Sequence, residues 1–257
     1  MRASGAVTRS TLRQQIADAL RDEVLAGRLQ PGREFTVKQI AEQYGVSATP
    51  VREALFDLSA QGLLESDQHR GFRVHEFTVA DYRAMVEART LVMDGVIRDV
   101  FAGPLPGSAR QAVHRDALVS VRRRAEEASR AARGGDLDIL IGYDLRFWRE
   151  LGALVGNTYI TDFLHRLRVH AWVFAVPYLR GDADARNWLW NGHPELVAAI
   201  SHRDRDALRR AVEDYNNHSL NWADWLAARD PARPGDAPRP DGPDGRDGPA
   251  DGSRPTH

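Results

Sequence analysis

Between residues 37 and 62 two short apolar patterns meet at a single glycine, and that junction constrains the fold more than any other feature of the 257-residue chain. Val37, Ile40, Ala41 and Tyr44 fall on one side of a helix, and Gly45 stops it. Ser47 stands as an N-cap for the next helix. Pro50 falls in that helix's first turn, where a missing N–H costs little. Val51, Ala54, Leu55 and Leu58 supply its buried face, and Gly62 closes it. Upstream, Leu12, Ile16, Leu20 and Val24 recur every four residues. With Ala19 and Leu25 they make one apolar face of a helix that ends at GRLQPG (27–32). Downstream, Leu63 and Leu64, a polar turn, and residues 72–74 read as a β-hairpin. Two short helices on a tight glycine turn, followed by a hairpin, is the plan of a winged helix-turn-helix.

That plan sends the second helix into the DNA major groove, N-terminal end first. Its polar positions are Ser47, Thr49, Arg52 and Glu53. Serine and threonine bond phosphate or base edges, and Arg52 can fork onto guanine or a phosphate. Lys38 starts the preceding helix, and Arg70 sits at the hairpin tip beside Gly71, placed for a phosphate or minor-groove contact. Residues 1–75 hold 10 basic and 9 acidic residues, and the whole chain has a net charge of −1. Positive charge therefore has to be concentrated on a face of the module. From residue 78 to 229 the helical patterns are longer and the breaks brief. The expected fold is mainly α: a winged helix-turn-helix over 1–76, then an all-α antiparallel bundle over 77–229. Residues 230–257 are rich in Pro, Gly, Asp and Arg without large apolar side chains, and read as a disordered tail.

Composition removes several alternatives. There are no cysteines, which excludes disulfide scaffolds, thiolate metal sites and cysteine nucleophiles. No apolar run reaches about 18 residues, and the first ten residues lack the apolar core of a signal peptide, so the expected location is cytoplasmic, away from membranes. No G-x-S-x-G, Walker A or H-E-x-x-H string occurs, and the expectation is a protein that is not an enzyme.

PG (31–32), IAEQYGVSATPVREAL (40–55), Leu58, GLL (62–64) and RGFRV (70–74) resemble the GntR family of bacterial transcriptional regulators. The resemblance places Lys38, Ser47, Ala48, Thr49, Pro50, Arg52 and Gly71 on the DNA face. Lys38 stands where an arginine is common. Ala48 stands where many relatives carry a base-reading arginine, so Ser47, Thr49 and Arg52 are left to carry recognition. Beyond residue 78, DYRAMVEAR (81–89), DLRFW (144–148), GN (156–157) and HPELVAAISHRDRDALRRAV (193–212) resemble the FadR-type ligand-binding domain of the same family, the FCD domain. The resemblance implies a homodimeric, ligand-responsive regulator, commonly a repressor. It would read an inverted-repeat operator and be released or remodelled by a small carboxylate. The alternative is a metabolite- or metal-binding helical module whose head has lost specific DNA binding.

Many FCD domains hold a divalent metal with an Asp, a His four residues on, and two further His. Here Asp144 and His193 match, but the position after Asp144 is Trp148, whose indole only donates, and Tyr215 stands at the last position. His218, three residues after Tyr215, would give Asp144, His193 and His218 a three-ligand site for an ion such as zinc. A metal-free pocket is the competing reading, with Trp148 as an aromatic wall, a hydroxyl from Tyr215, and Arg89 to fork a carboxylate. A third possibility is that Trp148 and Tyr215 simply fill core. His165, His170 and His202 read as surface or capping residues, and His114 and His257 have no partner pattern. The charged stretch 121–135 reads as a solvated helix face. Trp172, Phe174, Tyr178, Trp188 and Trp190 read chiefly as core, with pocket or dimer seam as alternatives.

Overall fold

The computed structural model describes residues 4–67, 70–101 and 115–229. The tail 230–257, His114 and His257 lie outside them. The head is built from α1 (Ser4–Leu25), β1 (Glu34–Phe35), α2 (Val37–Tyr44), α3 (Ala48–Ala60), β2 (Leu64–Asp67) and β3 (Gly71–Val74). The start of α2 is set by a reciprocal cap: the Gln39 N–H donates to Thr36 Oγ1 (3.2 Å), and the Thr36 N–H donates to Gln39 Oε1 (2.8 Å). Gly45 ends it in the left-handed region at φ 64°. Ser47 is the N-cap of α3, as the sequence has it, with the extended backbone of that position, but its side chain makes no capping bond, which leaves the hydroxyl unused within the helix.

The wing has a third strand that the hairpin pattern did not reveal. The sheet order is β1-β3-β2, all antiparallel, with Phe35 opposite Phe72 and Ser66 opposite Phe72 on the other edge. Gly71 makes this possible. Its φ is +96°, and a β-carbon there would lie 2.6 Å from the Phe35 carbonyl oxygen.

The helical domain comprises α4 (Val79–Phe101), α5 (Arg115–Gly134), α6 (Leu137–Ala153), α7 (Thr158–Arg180), a 3-10 turn (Ala185–Trp188), α8 (His193–Ser201) and α9 (Arg205–Arg229). Helix α4 packs on α9 and α7, and α5 packs on α6 and α8. Two apolar cores fill it. One gathers Tyr82, Leu140, Phe174, Leu179 and Trp222, the other Met93, Phe147, Leu196, Val197 and Val212. The 121–135 stretch is not merely a solvated face. Val121, Ala125, Ala128, Ala131 and Ala132 are buried, because small side chains let α5 approach its neighbours while its arginines point outward.

The head's core runs on into the helical domain, where Ile141, Val169, Val173 and Val176 join Leu20, Val24 and Leu55. At this joint His170 Nε2 donates to the Gln61 carbonyl (2.8 Å), and the His170 ring packs on Phe77 at 4.9 Å. His165 and His170 are therefore joint residues and not surface ones, whereas His202 does cap α8, with Nδ1 2.8 Å from the Ala198 carbonyl. Burial pushes both joint histidines down to about 4, helped by nearby Arg149, Arg21 and Arg168 for His165 and by His75 and Arg166 for His170. Unfolded histidine titrates near 6.5. Between about 4 and 6.5 the unfolded chain binds more protons, and stability falls as the pH drops through that window. The urea midpoint should therefore fall from pH 7 to pH 5, and H170Q, whose amide still donates to Gln61, should show a smaller fall. An equal fall in H170Q would remove His170 as a source.

Candidate functional site

On the head, Ser47, Ala48 and Thr49 are exposed in the first turn of α3, and Arg52 follows one turn on, also exposed. Pro50 is buried and shapes the turn from inside. One shallow depression brings Lys38, Ala48, Arg52 and Gly71 together, so the wing and both helices of the glycine turn share a face. Lys38 pairs with Glu42 at 3.8 Å and Arg70 with Glu34 at 3.5 Å, all four well exposed. Arg52 makes no ion pair among the described residues.

The second site lies where the two helical-domain cores meet. Apart from Ser129, every buried polar or charged side chain among the described residues belongs to it: Arg89, Asp144, Arg168, His193, Asn216 and Ser219. Helix α6 supplies Asp144, 3% exposed. Its Oδ1 accepts from Trp148 Nε1 and His193 Nε2, both at 3.0 Å, and its Oδ2 accepts from Trp172 Nε1 at 2.8 Å. Burial pushes the carboxyl up. The His193 hydrogen bond and charge, Arg168 and the Trp172 N–H outweigh this and hold it below the ordinary carboxylate range, so it stays ionised.

Two guanidinium groups share the site, each 3% exposed. Arg89, from α4, donates through Nε to Asn216 Oδ1 (2.9 Å), through Nη1 to Tyr215 Oη (2.9 Å) and through Nη2 to Ser219 Oγ (3.1 Å). Every partner is neutral. Arg168, from α7, lies 3.9 Å over the Trp148 ring. Its Nη1 makes a long bond to the Leu164 carbonyl (3.4 Å), its Nε has no partner, and burial pushes its pKa down. His193 Nδ1, Asn216 Nδ2 and His218 Nε2 are also buried without partners. A cavity of about 60 Å³ opens among these groups, lined by Arg89, Asp144, Arg168, His193 and Tyr215. Two guanidinium groups face one carboxylate there, and Arg168 Nε and Asn216 Nδ2 are unused N–H donors. The chemistry that satisfies both is an anion with several oxygen acceptors.

The residues do not fit the metal that the FCD resemblance implies. No group of three or more His, Asp or Glu side chains among the described residues has the geometry to hold an ion. Both oxygens of Asp144 already accept N–H donors, Trp148 donates where a ligand would stand, and Tyr215 accepts from Arg89. Asp144 and His193 meet, but His218 does not complete a set with them. Of the candidate pocket residues, Arg89, Asp144, His193 and Tyr215 line the cavity, and Trp148 backs it beneath Arg168. Sequence reasoning missed Arg168, Asn216 and Ser219, and gave Trp172 no polar role. The available signal was Arg168 and Trp172 one helical turn apart in an apolar stretch, hence on one face.

Residues 12–74 match the family described as bacterial regulatory proteins, gntR family, and residues 106–218 match the FCD domain. The chain is 35% identical over 145 residues to a protein named "Probable D-xylose utilization operon transcriptional repressor" from Paenarthrobacter nicotinovorans, an alignment covering 56% of this chain and 60% of that one. It is 24% identical over 226 residues to the HTH-type transcriptional regulator McbR of Escherichia coli K12, covering 86% of this chain and 96% of that one. The solved structure of E. coli McbR/YncC superposes with a TM-score of 0.69 at 21% identity, over 84% of this chain and 98% of that one, and so shares its fold. The gntR-family model thus covers the head and the FCD model most of the helical domain behind it. These relatives are transcriptional regulators, not enzymes.

Asp144 is the counter-charge of the buried site. Replacing it with Asn leaves two buried guanidinium groups without a carboxylate, a change expected to cost about 3–5 kcal/mol in urea denaturation. A D144N protein as stable as the parent would show that the cations are neutralised in some other way.

Proposed function

We propose that this protein is a ligand-responsive transcriptional regulator that binds an inverted-repeat operator as a homodimer and is released by a small organic acid. The observation that carries the reading is the placement of α7. Arg168 and Trp172 reach the cavity, and on the adjoining side of the same helix Val169, Val173 and Val176, with Trp172 against them, pack into the core of the head. A carboxylate seated between Arg89 and Arg168 would draw on α7, and the head would move with it. The ligand changes operator affinity to the extent that it prefers one arrangement of α7 over the other. Arg52 and the hydroxyls of Ser47 and Thr49 are the groups for base and phosphate contacts, with Lys38 and Arg70 on the backbone. Ala48 can touch a thymine methyl but cannot read guanine. Release by ligand is the mode that fits the similarity to a named repressor.

The test begins with in vitro selection of genomic fragments by the full-length protein, followed by anisotropy titrations on the enriched repeat. R52A should weaken specific binding by about ten-fold or more, the worth of a bidentate base contact. R89A should keep operator affinity and blunt the response to the ligand suggested by neighbouring genes. Full operator affinity in R52A would discard α3 as the reading helix. An undiminished ligand response in R89A would discard the cavity as the effector site.

A further inference from the structure

The buried cavity has a closed door, and outside it lies a second basic depression. At about 60 Å³ the cavity has room for a few water molecules, whereas pockets enclosing drug-sized molecules run to about 300–1,000 Å³. An effector of more than a few heavy atoms must displace a lining group. Trp190 is the group placed to yield. It is half-buried, sits in the connection between the 3-10 turn and α8, and lines both the cavity and an adjoining vestibule of about 720 Å³. Its ring packs against His193 at 4.6 Å and Tyr215 at 4.7 Å, while its Nε1 donates to the exposed Asp214 at 2.8 Å. Gly192 gives the ring room to close, since a β-carbon there would lie 2.6 Å from the indole.

The vestibule is lined by Arg133, Arg186 and Arg210, together with Glu195, Asp214 and His218. None of the three arginines makes an ion pair among the described residues, and Asp214 is engaged by Trp190. Three cations against two carboxylates leave an excess of positive charge directly outside the door.

Resting on the effector-cavity reading above, we propose that Trp190 is a gate and that the effector is an elongated dianion. One carboxylate lies deep, on Arg89 and Arg168. A second anionic group, carboxylate or phosphate, extends past the displaced indole onto the vestibule arginines. A monoanion of the same length makes only the deep contact.

Full-length protein carrying 5-fluorotryptophan, its Trp190 signal assigned with W190F, is titrated with glutarate and with pentanoate and followed by 19F NMR. Both probes should shift the Trp190 signal, with glutarate acting at an at least about ten-fold lower concentration, the scale of one further charge-assisted contact. The exposed double variant R186Q/R210Q should raise the glutarate midpoint to that of pentanoate. Equal midpoints in the parent protein, a glutarate preference that survives R186Q/R210Q, or binding that shifts Trp148 and leaves Trp190 unmoved would each overturn the gate and the second subsite. The cavity reading would survive those results provided that R89K, a conservative change in the buried site, weakens both probes. If neither probe binds, or R89K alters neither midpoint, the cavity reading itself fails and the gate with it.

Discussion

Two buried guanidinium groups around a single carboxylate set the terms for the rest of the helical domain. A charge in an apolar interior is tolerated only when paired and hydrogen-bonded, and Asp144 meets both conditions through His193, which it contacts at 3.0 Å, and the two indole N–H groups. It is held ionised by three N–H donors from three different elements, so α6, α7 and α8 are tied to one side chain. Arg89, bonded to the side chains of Asn216, Tyr215 and Ser219, ties α4 to α9 in the same way. The two apolar cores on either side have no such directional bonds. The polar seam fixes how the helices register against each other, and the apolar groups fill in around it.

The same arrangement accounts for the departure from the metal-binding pattern. An ion held by Asp144 and imidazoles would bring positive charge to the seam. Here Arg168 lies over the Trp148 ring and brings that charge without coordination. The indole at 148 serves twice, donating to Asp144 from its edge and supporting the guanidinium on its face.

Much of the head was legible because its signals are local. Gly45, the four-residue apolar spacing and the V-S-x-T-P-V-R-E-A-L string each act within a few residues. The strand at Glu34–Phe35 was not, since a two-residue strand has no periodicity and exists only because Gly71 lets Phe35 approach. Helix α5 was read as too polar because its buried face is largely alanine, which packs well but scores weakly as hydrophobic. In the cavity, resemblance led to Arg89, Asp144, His193 and Tyr215. Arg168, Asn216 and Ser219 come from helices far apart in sequence, and only the packing of α7 and α9 brings them to the carboxylate. His170 bonds Gln61 of the head and His165 lines a crevice with Arg21, Gln61 and Leu63, so what buries both histidines lies in the other domain, far off in sequence.

The ion pairs on the proposed DNA face carry a further consequence. If Lys38 and Arg70 meet phosphates as proposed, Glu42 beside Lys38 and Glu34 beside Arg70 occupy, off DNA, the place a phosphate would take. When a phosphate displaces either acid, the freed carboxylate gathers a cation from solution, offsetting one of those the DNA gives up. On that proposal Lys38 and Arg70 would contribute less to net ion release than the unpaired Arg52. The head's hold on DNA should weaken with rising salt more gently than its number of basic contacts implies.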